Sequence, residues 1–193
     1  QSVMFAPLEH TAIDLQISPF SEITVWDVHS DVFEKEMNKF CDVKLNHTKQ
    51  HEIIRDQFYK QIKGTTIVSP DKGATEKAKL VAEMFNAELI QGFKERDVTT
   101  GKITKIGLPE GDYKDKRFTI CDDICDGGGT FLPLAKQLKD AGASEVNLYV
   151  THGIFAKGLD MFKENFNNIY VANIVGNYIT TNDLQSFNLK KEK

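Results

Sequence analysis

Short apolar runs rich in β-formers alternate along this chain with stretches whose apolar residues return at helical spacing. Ile23, Thr24, Val25 and Trp26 predict a strand that ends in a polar loop, Asp27-Val28-His29-Ser30-Asp31. A helical stretch over residues 53–62 leads into a second strand at residues 65–68. Ser69-Pro70-Asp71-Lys72-Gly73 has the composition of a turn, and the helix after it steps through Ala74, Ala78, Val81 and Phe85. Residues 87–90 predict a further strand. Residues 118–121 predict another, running into Asp122 and Asp123, and Phe131, Leu134, Ala135 and Leu138 mark the next helix. Strands at residues 146–150 and 169–174 complete the series. Such alternation implies an α/β fold with a parallel, doubly wound sheet. Its ligands bind at the carboxyl ends of the strands, where each of these polar loops falls.

Composition narrows the function more than the fold. The 193 residues suffice for one generous domain, or one domain plus part of another. With 40 % hydrophobic and 27 % charged residues the chain is ordinary globular protein. A net charge of -4 and a pI near 5.8 argue against nucleic acid as the main partner, which wants a basic face. No apolar run reaches the roughly 18 residues of a membrane span. Three cysteines, Cys41, Cys121 and Cys125, are too few for a secreted disulfide framework, so a reducing, cytoplasmic setting is expected. The chain opens Gln1-Ser2-Val3 without a methionine, which suggests a processed or partial chain.

The most informative stretch is Cys121-Asp122-Asp123-Ile124-Cys125-Asp126-Gly127-Gly128-Gly129-Thr130. Three glycines before a helix let backbone N–H groups approach an anion, aided by the helix dipole, and Thr130 adds a hydroxyl. Adjacent carboxylates at a strand end suit ribose hydroxyls or a hydrated divalent cation better than a core. A Walker loop is excluded by the lack of Gly-Lys-Ser/Thr. A dinucleotide fingerprint would need glycine where Leu132 stands. The plain alternative is an acidic, solvated turn with glycines for tightness.

Asp-Asp-x-x-Asp-x-Gly-Gly-Thr after an apolar strand resembles the phosphoribosyl-pyrophosphate motif of type I phosphoribosyltransferases and of ribose-phosphate pyrophosphokinases (PRPP synthetases). Further matches favour the synthetases. Asp27-Val28-His29-Ser30 is similar to their Asp-Leu-His-Ala, and Ser69-Pro70-Asp71-Lys72-Gly73-Ala74 resembles their pyrophosphate loop. Phe93-Lys94-Glu95-Arg96 resembles their mobile Lys-Arg-Arg loop, and Thr151-His152-Gly153-Ile154-Phe155 parallels their Thr-His-Pro-Ile-Phe. The resemblance runs from about residue 23 to 174 and corresponds to the second part of a synthetase.

It implies a phosphoribosyltransferase-like domain over residues 47–180, the end of a similar N-terminal domain over 1–46, and a tail over 181–193. It also implies transfer of pyrophosphate from ATP to the anomeric hydroxyl of ribose 5-phosphate, for nucleotide biosynthesis, by an oligomer. Asp122, Asp123 and Asp126 would then hold ribose hydroxyls or metal-bound water. Gly127, Gly128, Gly129 and Thr130 would cradle the 5-phosphate, and His29 and Asp71 would coordinate Mg2+. Lys94 and Arg96 would close over the transferring group, and the polar residues that follow them, 97–102, are read as mobile. Taken without the resemblance, His29 is as readily a structural loop histidine, Asp71 a turn residue, and Lys94 and Arg96 a solvated face. Cys121 and Cys125 are expected to be buried thiols, His152 structural, and Phe131 and Leu134 core.

The chain departs from the family at Gly127, where a threonine is usual. The extra room suits either compensation by backbone freedom or a bulkier 5′-substituent, as in ADP-ribose. The synthetases' adenine loop is not recognisable here. A phosphoribosyltransferase, for which no base-binding hood is visible, and a non-catalytic synthetase-like subunit are the competing readings.

Overall fold

The computed structural model describes residues 20–40, 42–97, 99–100 and 103–175, without the side chains of residues 31, 40 and 96. Cys41 and the expected tail, residues 181–193, lie outside them. The chain divides into two units, Gln1–Lys49 and Gln50–Lys193. The division falls three residues past the expected 46/47, because Asn46 and His47 belong to a strand.

In the first unit, β1 (Glu22–Trp26) and β2 (Lys44–Thr48) pair in parallel, joined by helix α1 (Asp31–Phe40). Met37 is the buried centre, packed by Ile23, Phe33, Val43 and Leu45. Beyond β1 the backbone turns at Asp27, which is 3 % exposed and takes a left-handed φ of 45°. Its N–H bonds the Thr48 carbonyl at 2.9 Å, while Val28 N–H donates to His47 Nε2 at 3.2 Å. His47 is held in turn by Glu34 through its Nδ1.

The second unit is built on a five-stranded, wholly parallel sheet. Its strands are β3 (Thr66–Ser69), β4 (Leu89–Gln91), β7 (Arg117–Cys125), β8 (Glu145–Gly153) and β9 (Asn168–Ile174), in the order β4-β3-β7-β8-β9. The remaining strands, β5 (Phe93–Arg96) and β6 (Ile103–Gly107), form an antiparallel hairpin after β4. The first helical segment consists of α2 (Gln50–Ile53), a π-helical turn (Ile54–Phe58) and α3 (Tyr59–Ile62). It is followed by the crossover helices α4 (Thr75–Phe85) and α5 (Phe131–Asp140). Pro133 falls in the first turn of α5, where its missing N–H goes unmissed.

Alternation along the strands splits the core in two, as a sheet covered on both faces requires. Val68, Phe118, Ile120, Leu148 and Val150 pack with Phe131, Leu134 and Leu138 of α5. Ile67, Cys121 and Tyr149 pack with Ile54, Ile62, Ala78, Val81 and Ala82 on the other face. Leu134 and Leu138 are fully buried, each contributing about 1.5–3 kcal/mol. The doubly wound expectation thus holds for this unit, while the strand at residue 23 belongs to a separate small sheet.

Sheet order fixes where a ligand can sit. From β3 the chain crosses through α4 to β4 on one side; from β7 it crosses through α5 to β8 on the other. The two crossovers diverge between β3 and β7, so a crevice opens above the carboxyl ends of these strands. Residues 70–74 and 126–130 are the loops that border it.

Candidate functional site

Loop 70–74 is organised by Asp71. Its Oδ1 accepts the N–H groups of Gly73 at 2.8 Å and Ala74 at 3.2 Å, and its backbone carbonyl accepts the hydroxyls of Ser69 and Thr75. Oδ2 accepts Lys94 Nζ at 2.6 Å, across from the β5–β6 hairpin. Partial burial raises the Asp71 pKa, but the Lys94 ammonium and the two backbone donors outweigh it and hold this carboxyl below its ordinary value. The hairpin can lie so close because residue 92 is glycine. Gly92 N–H bonds the Ser69 carbonyl at 2.7 Å, and a Cβ there would stand 2.7 Å from the Pro70 carbonyl oxygen.

Strand β7 runs four residues past the expected end, carrying Asp122 and Asp123 within it. Asp123 is 5 % exposed, contrary to the expectation that neither carboxylate is buried, and pairs with Lys77 of α4 at 3.1 Å. Lys77 was not recognised from sequence, because on an amphipathic helix it looks like its solvated neighbour Lys79. Among the described residues Asp122 has no cationic partner to offset its surroundings. Burial, then the charge of Asp123, and further off that of Asp71, push its carboxyl up to about 7. The crevice therefore presents three carboxylates, Asp123, Asp122 and Asp71, flanked by two lysines, Lys77 paired with Asp123 and Lys94 paired with Asp71.

The glycine loop stands at the other side of Asp122. Gly128 has φ +72°, and a Cβ on it would meet Phe162 Cζ at 2.6 Å, so only glycine fits. Its carbonyl accepts the N–H groups of Phe131 and Leu132, which starts α5. Thr130 heads that helix without a side-chain capping bond. Asp126 is exposed, and its Oδ1 accepts Ala156 N–H at 3.2 Å. A Cβ at Gly129 would meet nothing within 4 Å, and one at Gly127 only the Lys157 methylenes, at 3.9 and 4.0 Å.

Asp71, Lys94, Asp122 and Asp123 are thus brought together, and Asp126 with Gly127, Gly128, Gly129 and Thr130 forms the loop beside them. Lys94 stands on a strand of a hairpin rather than on the open loop expected there. Arg96 ends that strand, and its side chain is outside the described residues. His29 is exposed, on the loop after β1 in the other unit. Cys121 and Cys125 are buried free thiols, as expected, and burial pushes Cys125 up to about 12. Among the described residues no three His, Cys, Asp or Glu side chains are grouped to hold a metal, and no helix is long and apolar enough to cross a membrane.

A parallel sheet with its switch point between β3 and β7, and a glycine loop opening the next crossover helix, defines the phosphoribosyltransferase type of α/β fold. The chain belongs to the phosphoribosyl transferase domain family, whose profile matches residues 45–177. Within it the sequence resemblance is to ribose-phosphate pyrophosphokinases. That of Mycoplasmopsis pulmonis is 32 % identical over 179 residues, covering 92 % of this chain and 52 % of the relative. That of Pyrococcus abyssi is 32 % identical over 157 residues, covering 81 % and 53 %. This chain therefore spans about half the length of the curated relatives it matches. A phosphoribosylpyrophosphate synthetase structure from Mycobacterium smegmatis superposes with TM-score 0.68 at 21 % identity, covering 91 % of this chain and 59 % of that one. An APRTase from Giardia lamblia superposes with TM-score 0.52 at 16 % identity, covering 65 % and 79 %. At these identities the two structures speak for the fold.

Proposed function

We propose that this chain carries the ribose-phosphate half of a diphosphokinase, moving pyrophosphate from ATP to the anomeric hydroxyl of ribose 5-phosphate and releasing AMP, in nucleotide biosynthesis. The observation that carries the reading is the constellation at the switch point: a glycine loop able to take a phosphate stands beside three carboxylates flanked by two lysines. The curated relatives support it, because their names state this activity. In this reading Gly127 to Thr130 donate to the 5-phosphate. Asp122 and Asp126 accept from the ribose hydroxyls, and Asp123, anchored by Lys77, holds Asp122 in place. Lys94, with Arg96, neutralises the oxygens of the group in flight.

Magnesium suits the chemistry of these donors: Asp71, Asp122 and Asp123 border one crevice without forming a three-ligand cage among the described residues, and burial, then the charge of Asp123, raises the Asp122 pKa. A hard cation that keeps its waters and leans on substrate phosphates needs only one or two of them directly. When bound, it would supply positive charge to the phosphates of ATP. Asp71 and His29 are the residues proposed to meet it.

Residues 1–46 are read as the close of a first synthetase-type domain, a reading supported by the parallel pair β1–β2 with its crossover helix. The adenine contacts then come from another chain of a homo-oligomer or from sequence outside this one.

ADP-ribose is the second reading of the acceptor, favoured by the missing side chain at Gly127, where a Cβ would meet only the Lys157 methylenes. The test is incubation with ATP, magnesium and either ribose 5-phosphate or ADP-ribose, scored by AMP release. AMP with ribose 5-phosphate is the expected result. AMP with ADP-ribose alone replaces the acceptor, and AMP with neither leaves a binding role in place of catalysis.

A further inference from the structure

The segment after β8 is fastened to the end of β7 and to Asp126, where the glycine loop begins. Ile154 and Phe155 N–H both donate to the Cys125 carbonyl, at 2.8 and 3.3 Å, and Ala156 N–H donates to Asp126 Oδ1. Gly158 N–H closes the turn onto the Phe155 carbonyl at 2.8 Å, and the Phe155 ring is fully buried against Phe162. These ties fix where the next side chain goes. Lys157 lies along Gly127, with Cε and Cδ at 3.9 and 4.0 Å from where a Cβ would be. It is exposed, and makes no ion pair or hydrogen bond among the described residues. A branched side chain at residue 127 would meet these methylenes, so the missing side chain and the lysine's path belong together.

We propose that Lys157 is a specificity residue for the acceptor: it receives a second phosphate on the 5′-oxygen of the ribose, so that the site accepts a 5′-diphosphate ester such as ADP-ribose beside ribose 5-phosphate. This rests on the reading of the glycine loop as the 5′-anion site and deepens its second form. On that reading the loop takes the first phosphate. A cation on a flexible stem, outside the loop and past the position with no Cβ, adds charge only to what extends beyond it.

The test is calorimetric binding of ribose 5-phosphate, ADP-ribose and ADP, each with magnesium, to the whole chain and to Lys157→Ala and Lys157→Arg. The expected result is that Lys157→Ala lowers the ratio of ADP-ribose to ribose 5-phosphate affinity about tenfold, the scale of one charge-assisted bond. Lys157→Arg should restore most of that ratio. An unchanged ratio overturns the proposal. So does an equal loss for ADP, which has the diphosphate but no free anomeric ribose and would place Lys157 in a nucleotide site. If the unaltered chain binds neither ribose compound, the ribose-site reading itself fails, and the proposal with it.

Discussion

Lys94 Nζ lies 2.6 Å from Oδ2 of Asp71, so the cation assigned to the transferring phosphates is paired with a carboxylate assigned to magnesium. Oδ1 is already taken by two backbone N–H groups, which leaves Oδ2 as the atom both partners would use. On the proposed reading, Lys94 would leave Asp71 for the phosphates when that carboxylate holds magnesium. Lys94→Ala should then slow AMP release by about 10²- to 10⁴-fold while ribose 5-phosphate affinity stays within about threefold. Turnover assays beside calorimetry check this split; equal loss in both would make Lys94 a sugar-binding residue.

Gly92 sets the distance of the hairpin from loop 70–74. Gly92→Ala should cost about 1–3 kcal/mol of stability, because its Cβ would press on backbone oxygen rather than on a movable side chain. Turnover should fall at least tenfold, since Lys94 rides on the strand that begins at Phe93. Urea unfolding and AMP release together check this, and wild-type behaviour in both would separate the hairpin from the chemistry.

The proton on Asp122 gives stability a pH slope. Its folded-state pKa, about 7, is above its unfolded value of 3.8, so the native state holds more protons between them. The contribution is fully favourable below the unfolded value and lost as pH climbs through about 7. Asp122→Asn should flatten the slope between about pH 4 and 7 and stabilise the chain at pH 7.5 by on the order of 2 kcal/mol. The same variant should lose ribose-phosphate binding. Urea titrations across this range are the check, and a variant less stable than the parent at pH 7.5 would refute the assigned strain.

The glycines of the loop should not respond alike. Gly128→Ala should cost about 2–4 kcal/mol, from its left-handed backbone and its encounter with the fully buried Phe162 ring. Gly129→Ala, whose Cβ meets nothing within 4 Å, should stay within about 1 kcal/mol of the parent. Thermal unfolding of both separates a loop shaped for packing at Gly128 from one left open at Gly129.

These residues also show how far the sequence could be read. The strands and crossover helices of the main sheet were legible because residues such as Ile120, Leu148 and Leu134 are buried in unbroken apolar patterns. The glycine loop was legible because its residue types are rare in company. The hairpin was not: Glu95, Ile103, Thr104 and Lys105 are exposed, so no alternation between core and solvent marks it. Asp123 looked solvated because a buried carboxylate is betrayed only by its partner, and Lys77 is 46 residues away. The support of the His29 loop by His47 and Glu34, and the approach of Lys157 to Gly127, are likewise contacts between residues far apart in the chain.

A crystal structure of the chain with ribose 5-phosphate and magnesium tests the central claim most directly. The account requires the phosphate within hydrogen-bond reach of the N–H groups of residues 127–130, and the ribose hydroxyls on Asp122 and Asp126. Sugar phosphate bound elsewhere, with this loop empty at saturating ligand, would contradict it.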